Sequence, residues 1–175
     1  GNGAFAECSS LEQLSIPSSV SKIEENCFSE CTSLNEISFQ ITVSTKIFDI
    51  SETKQLEQLE IPVNLTKISS KSFFECVSLE KIIIPSSVTK IDDYAFNGCK
   101  SLSSVLFESS SSLTSIGNGA FKNCPILNQI TIPSTVISIG SFTFQDCISL
   151  NSVSFEMPSS LTSIGDGAFK NCPIL

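Results

Sequence analysis

The chain has 175 residues, 41% of them hydrophobic, which is enough for one ordinary domain with a buried core. Its net charge of −8 argues against nucleic acid, because phosphate binding requires clustered Lys and Arg, and no apolar run is long enough for insertion into a membrane. The chain contains no His, the commonest general base and metal ligand, and we therefore expect neither a metal nor a cofactor.

A Phe-x-x-Cys-x-x-Leu pattern recurs along the whole chain. It begins at Phe5, Phe28, Phe73, Phe96, Phe121, Phe144 and Phe169. The steps between these positions are 23, 45, 23, 25, 23 and 25, and the step of 45 hides one degenerate repeat at 40–55, where Ile50 stands for Phe and Thr53 for Cys. Repeats of this length predict a solenoid in which each repeat forms one coil.

Each repeat begins with a predicted strand that has apolar residues at its first, fourth and sixth places. The strands lie at 11–17, 34–39, 56–62, 79–85, 102–107, 127–133 and 150–155. Several end at a proline, such as Pro85 and Pro133, because proline cannot donate to a central ladder. A short second strand follows, for example around Val88 and Ile91, and then a short helical turn that carries the Phe and Cys. Residues suited to cap such a turn are Asp92, Asp93, Asn118 and Asp166.

One stretch of sequence is present twice. The copies span 101–127 and 149–175, and they differ at only five positions. The five are 103, 106, 109, 110 and 118 in the first copy. The step from one copy to the other spans two coils, which favours a structural repeat over a catalytic motif.

The consensus Leu-x-x-Ile-x-Ile-Pro-x-x-Val-x-x-Ile-x-x-x-Ala-Phe-x-x-Cys is clearest at 79–99 and resembles the BspA-like leucine-rich repeat. The resemblance covers the chain except for 40–55. It implies a leucine-rich-repeat solenoid with a parallel sheet on the concave face, and short strands and short helical turns on the convex side. It also implies a cell-surface protein of mucosal bacteria or parasitic protists, with a role in adhesion and host interaction.

The eight cysteines have a simple structural interpretation. Seven share one repeat position, and Cys27 falls in a column of small residues beside Phe28. Zinc would need four ligands converging on one point, whereas these cysteines should lie along a line. Adjacent coils are close enough for disulfides, but nothing specifies which cysteines would pair. We therefore expect reduced, buried thiols that act as small hydrophobic residues.

The sequence gives little support for an enzyme. Without His there is no Ser-His-Asp or Cys-His arrangement. The pair Asp92–Asp93 is better explained by capping than by catalysis, and "GNGAF" lacks the Lys of a phosphate-binding loop. One possible glycosylation site is Asn64, in Asn64-Leu65-Thr66.

The outward positions of the predicted strands identify a candidate contact surface. Most are polar or acidic, but Ile83 and Leu106 are apolar and lie in neighbouring repeats. Leu106 corresponds to Ser154 in the duplicate, so the repeat does not require an apolar residue there. An apolar spot with a polar rim indicates a protein-binding patch. We predict that it comprises Ile83, Leu106, Lys81, Glu60, Glu80 and Ser104.

The sequence therefore predicts one leucine-rich-repeat domain over 1–175, with about seven repeats of 22–25 residues. We expect it to be a fragment of a longer solenoid, since neither end has a capping unit. The expected function is non-catalytic binding of a protein or glycoprotein, at the cell surface or after secretion. The alternatives are a cytoplasmic scaffold and a structural spacer, with possible end-to-end self-association through the uncapped ends.

Overall fold

The computed structural model describes residues 1–17, 20, 24–34, 36–40, 59–60 and 65–175. The chain winds as a solenoid of parallel strands, with a longer strand on the concave face and a two-residue strand on the convex side of each complete coil. In chain order these are β1 (Gln13–Pro17), β2 (Glu36–Gln40), β3 (Leu59–Glu60), β4 (Lys67–Ile68), β5 (Lys81–Ile84), β6 (Lys90–Ile91), β7 (Ser104–Phe107), β8 (Ser115–Ile116), β9 (Gln129–Ile132), β10 (Ser138–Ile139), β11 (Ser152–Phe155) and β12 (Ser163–Ile164).

The predicted strands are confirmed where the structure describes them. On the convex side, β4, β6, β8, β10 and β12 form one continuous parallel ladder. On the concave face the strands form three groups, β1-β2, β3-β5-β7 and β9-β11. Strands β5 and β9 stop at Pro85 and Pro133, as expected of a residue without an N–H group.

The core is filled by a column of Phe side chains. Consecutive rings of this column are stacked with centroids 5.1–5.7 Å apart, from Phe5 to Phe169. Phe28, Phe73, Phe96, Phe121 and Phe144 are almost fully buried. Offset stacking at this spacing adds to the free energy gained by removing the rings from water.

The expected short helical turns are not found among the described residues. In the turn around Phe96, the N–H groups of Tyr94, Phe96 and Gly98 donate to the next coil at 2.8–2.9 Å. The N–H groups between them donate to carbonyls three residues back, as from Asn97 to Tyr94 at 3.2 Å. Tyr94 and Gly98 have φ values of 57° and 79°. A left-handed residue at every fourth position interrupts a right-handed helix, and the turns are held by the neighbouring coil instead.

The absence of a helix in this part of the chain corrects the roles expected of four residues. Asp92, Asp93, Asn118 and Asp166 have no helix to cap. Asp93 Oδ1 instead accepts the N–H of Asn118 in the next coil at 2.6 Å, and Asn118 Oδ1 accepts the N–H of Ser141 one coil further at 2.8 Å. The side chains of Asp93 and Asn118 therefore join coils to each other.

The turns that flank the degenerate repeat are bonded directly to each other. Phe28 N–H donates to the Ser72 carbonyl at 3.0 Å, and Glu30 N–H donates to the Phe74 carbonyl at 2.9 Å. The rings of Phe28 and Phe73 are stacked 5.7 Å apart, although the degenerate repeat lies between them in sequence. The positions expected to replace Phe and Cys in this repeat, Ile50 and Thr53, lie outside the described residues.

Candidate interaction surface

The two apolar residues predicted on the concave face lie directly opposite each other. Ile83 in β5 pairs with Leu106 in β7 in a parallel ladder. Their strand neighbours Ile82, Ile84 and Val105 are buried in the core. Because successive strand residues face opposite sides, Ile83 and Leu106 belong to the outer surface of the sheet. Leu106 is 46% exposed and Ile83 is partly buried.

The predicted polar residues surround this pair. Lys81 lies opposite Ser104 on the same two strands. Glu80 is exposed, and its carbonyl accepts the N–H groups of Ser103 at 2.8 Å and Ser104 at 3.3 Å. The backbone of Glu60 in β3 pairs with Ile83, and its side chain is outside the described part of the structure. The six residues thus lie on or beside three adjacent strands, whereas Asn64 is outside the described residues.

The concave sheet is interrupted next to Leu106. Strand β7 is hydrogen-bonded to β5, and β9 to β11, but β7 and β9 are not bonded to each other. The convex ladder continues through the same coils without a break. Residues 108–114 form a seven-residue connection from β7 to β8, whereas the connections 85–89 and 133–137 each have five residues. The break therefore falls where the longer coil meets the next, shorter one.

The interruption opens a cleft of about 450 Å³ between β7 and β9. The cleft is lined by Ser103, Ser104, Val105, Leu106, Phe107, Asn128, Gln129, Ile130, Thr131 and Glu156. Among these ten residues only Glu156 is ionisable, and its Oε2 accepts the N–H of Ser134 at 3.1 Å. Ser104 and Leu106 therefore belong both to the predicted patch and to the cleft.

Sequence reasoning missed the cleft. The sequence of β9 does not differ in pattern from that of the other strands. Its polar residues Asn128, Gln129 and Thr131 occupy ordinary outward strand positions. One available signal is the alternating spacing of the Phe positions, 23 and then 25. A ladder of coils with unequal lengths has two kinds of junction, and only one of them keeps its concave strands bonded.

The thiols of the cysteine column form hydrogen bonds that join neighbouring coils. Each thiol of the repeat position from Cys31 onward donates to the carbonyl of the preceding Phe in the stacked column. Examples are Cys99 Sγ to Phe73 O at 3.2 Å and Cys124 Sγ to Phe96 O at 3.4 Å. Burial raises the pKa of Cys99 and Cys124 well above the ordinary value, and that of Cys147 to about 12. Such thiols stay protonated and are poor nucleophiles at neutral pH.

The cysteines are all unpaired, and those in the inner coils are buried, whereas the expectation of burial is wrong for the two in the first and last coils. Cys27 is 8% exposed in its small-residue column, as predicted. Cys8 is exposed and Cys172 is partly exposed. Within the described residues, no group of three His, Cys, Asp or Glu side chains is arranged to hold a metal ion.

The paired carboxylates Asp92 and Asp93 are engaged in contacts within the solenoid. Lys67 Nζ lies 2.6 Å from Asp92 Oδ2 in a partly exposed ion pair. Asp93 accepts both the backbone N–H and the side-chain amide of Asn118, at 2.6 and 3.3 Å. These contacts explain both acidic residues without invoking catalysis.

The stacked parallel coils, the Phe column and the polar concave face define a leucine-rich-repeat solenoid. The family model for the BspA type leucine rich repeat region matches in 6 copies, over residues 1–111 and 42–175. The chain therefore belongs to the BspA-type leucine-rich-repeat family. In the described residues, no helix has the length and hydropathy that a membrane crossing would need.

Solved structures agree with this assignment. A leucine-rich repeat protein of T. pallidum, TpLRR, is 30% identical with a TM-score of 0.78, over 99% of this chain and 69% of that one. A leucine-rich repeat protein of Bacteroides ovatus is 28% identical with a TM-score of 0.59, over 99% of this chain and 50% of that one. The pneumococcal vaccine antigen PcpA is similar in fold, at 21% identity and a TM-score of 0.57, over 65% of this chain and 38% of that one. A search of curated proteins gave no match.

Proposed function

We propose that this chain is a non-catalytic protein-interaction module of a cell-surface adhesion protein, and that it contacts its ligand through the concave face around Leu106 and Ile83. The observation that carries the proposal is the exposure of Leu106, 46%, in a face whose other outward positions are mostly polar. Large apolar side chains in such a setting mark protein-binding surfaces.

The internal duplication supports a role in binding rather than in folding. The copy of this coil carries Ser154 where Leu106 stands, although the two copies differ at only five positions. Ser154 is exposed as well, so the coil folds with either side chain at this position. An apolar residue that the fold does not use, beside the half-buried Ile83, is available for a partner.

The family resemblance supports a location at the cell surface or outside the cell, as part of a longer protein. A cytoplasmic scaffold is a second candidate, because all eight cysteines are unpaired and extracellular proteins commonly use disulfides. Protease treatment of intact cells that express the full-length gene separates the two. Cleavage of the protein on intact cells supports the adhesin, whereas full protection until the cells are lysed supports the scaffold.

The binding test uses fluorescent beads coated with this chain and applied to cultured epithelial cells. Beads with the wild-type chain should bind, and binding should fall when cell-surface proteins are removed with trypsin. The variant Ile83→Asp/Leu106→Asp should lose binding, while the matched control Ser154→Asp, on the duplicate coil, should retain it. Equal binding by all three chains, with each shown to be folded by circular dichroism, would refute the proposed surface.

A further inference from the structure

The cleft between β7 and β9 differs chemically from the apolar spot that it adjoins. Its outer wall carries hydroxyl groups from Ser103, Ser104 and Thr131 and amide groups from Asn128 and Gln129. Each of these groups both donates and accepts hydrogen bonds, and none carries a charge. Asn128, Gln129 and Thr131 are exposed, so their polar side-chain atoms are accessible to a ligand. The exposed Ser103 hydroxyl donates to the Glu80 carbonyl at 3.2 Å, which leaves it as an acceptor.

The backbone adds further hydrogen-bonding groups. In a parallel sheet both edges of a strand present N–H and C=O groups. Strand β7 is satisfied by β5 and β9 by β11, but the edges that β7 and β9 turn toward each other are not bonded together. A ligand in the cleft therefore meets a mixture of donors and acceptors from main chain and side chains.

The cleft also has an apolar side. Leu106, 46% exposed, lies on its β7 wall beside the partly buried Phe107. Its volume of about 450 Å³ is in the range of about 300–1,000 Å³ that is typical of small-ligand sites. A saturated ring that has hydroxyl groups around its edge and C–H groups on one face matches this combination.

The charge of the cleft selects against anions. The ten lining residues include no Lys or Arg, and Glu156 is the one ionisable residue among them. The chain as a whole carries a net charge of −8. Neutral hydroxyl and amide groups, against one carboxylate, favour a neutral polyhydroxyl ligand over a basic peptide.

We propose that this cleft binds a neutral saccharide unit, such as the terminal sugar of a glycan carried by a surface glycoprotein. The inference rests on the proposed function and deepens it, since it gives a chemical class to part of the ligand of the same face. The side-chain amides of Asn128 and Gln129 and the hydroxyl of Thr131 bond the sugar hydroxyls, and Leu106 packs against its C–H face. Glu156 disfavours sialylated or sulfated sugars.

The test is an NMR titration of the ¹⁵N-labelled chain with the methyl glycosides of galactose, N-acetylgalactosamine, N-acetylglucosamine, mannose and fucose. At least one should shift the amide resonances of Ser104, Leu106, Gln129 and Thr131, with a dissociation constant on the order of 1 mM for a ligand of this size. Sialyllactose should bind no more tightly than lactose. The variant Asn128→Ala/Gln129→Ala should bind the best sugar about tenfold more weakly.

The equivalent positions of the next coil supply a matched control variant, Asn151→Ala/Ser152→Ala. Both residues lie outside the cleft lining, so the affinity of this variant should be unchanged. The proposal is overturned if no neutral glycoside shifts these resonances, if both double variants weaken binding equally, or if a short Arg- and Lys-containing peptide binds the cleft in their place. Because the titration uses only the isolated chain, bead binding without sugar binding refutes the saccharide site alone. Sugar binding without bead adhesion refutes the adhesion role alone.

Discussion

The ring of Tyr94 lies against Gly119 of the next coil, so closely that a Cβ on Gly119 would be 2.5 Å from Tyr94 Cε1. Phe142 and Gly167 repeat the relationship two coils later, where a Cβ would be 2.8 Å from Phe142 Cε1. Both glycines also have left-handed φ values, +57° and +60°. Over these four coils, an aromatic residue at this position thus alternates with glycine.

We predict that Gly119→Ala destabilises the chain for two separable reasons. The left-handed backbone disfavours a Cβ by roughly 1–2 kcal/mol, and the methyl group must also displace the Tyr94 ring. Chemical denaturation should show a larger loss than for the control Gly3→Ala, which has φ +62° but no atom closer than 3.7 Å to the added Cβ. Adding Tyr94→Ala to Gly119→Ala should remove most of the excess. Equal losses for the two glycine variants would contradict the ring contact.

Gly140→Ala should destabilise the chain more than Gly119→Ala does, although the φ of Gly140 is not in the left-handed region. A Cβ on Gly140 would lie 2.6 Å from Asn118 N and 2.7 Å from Gly117 C, and these are backbone atoms that cannot rotate away. We expect a loss of about 3 kcal/mol in the free energy of unfolding, at the upper end for overpacking. The matched control is Asp92→Ala, at the corresponding place two coils earlier. That change loses only the partly exposed ion pair to Lys67, and should cost less than about 1 kcal/mol.

The Phe column predicts a large effect of truncation. Phe121 is fully buried, with ring centroids 5.3 Å from Phe96 and 5.6 Å from Phe144. Phe121→Ala should lower the free energy of unfolding by about 3–5 kcal/mol, because the coils above and below cannot close the cavity fully. Phe142→Ala provides the comparison, since this ring is 38% exposed and outside the column. Equal melting temperatures for the two variants would show that the Phe column is not the core.

The buried thiols predict a loss of stability at alkaline pH. The pKa of an unfolded thiol is about 8.5. Burial raises the pKa of Cys147 to about 12 and those of Cys99 and Cys124 well above their ordinary value. Above about pH 8.5 the unfolded state therefore binds fewer protons than the native state. The free energy of unfolding should fall with rising pH by about 1.4 kcal/mol per pH unit for each such thiol. Below about pH 8.5 the full contribution is present.

Urea denaturation between about pH 7 and pH 10, in the presence of reductant, measures this slope. The informative quantity is the difference in slope between two chains, because contributions common to both cancel. Cys124→Ala should reduce the slope by the amount of one thiol while leaving the other groups unchanged. Superimposable slopes for wild type and variant would show that Cys124 ionises equally in both states.

The repeat pattern predicted the strands and the core because both depend on which residues are buried. The period of the hydrophobic residues along the sequence indicates which residues those are. Pro85 and Pro133 marked two strand ends correctly. The prediction of helical turns was wrong because the repeat pattern carries no information on backbone φ values. Tyr94, Glu75 and Asp146 adopt φ values of 56–62°, which non-glycine residues seldom do, and only the hydrogen bonds to the next coil make this favourable.

The candidate site was predicted in part. The pairing of Ile83 with Leu106 follows from counting repeats, because equal positions of adjacent coils fall in register. The opening between β7 and β9 depends on how two coils of different length stack, which no single repeat reveals. The place of Asn128 and Gln129 beside the cleft was missed for the same reason, since a polar strand residue comes to line a cleft only when the ladder beside it is broken.

The alternation of aromatic and glycine coils limits how such a chain can change length. If the coil that carries Gly119 were removed, the Tyr94 ring would face the Phe142 ring instead of the space above Gly119. Within these four coils, a gain or loss preserves the ring contacts only when it moves two coils at once, and the near-identical stretches 101–127 and 149–175 are two coils apart. A further copied block would bring a further junction of the β7–β9 kind, and with it a further break in the concave sheet. The number of clefts would then rise with length, and each new cleft could diverge at positions such as Leu106 and Ser154 without disturbing its neighbours.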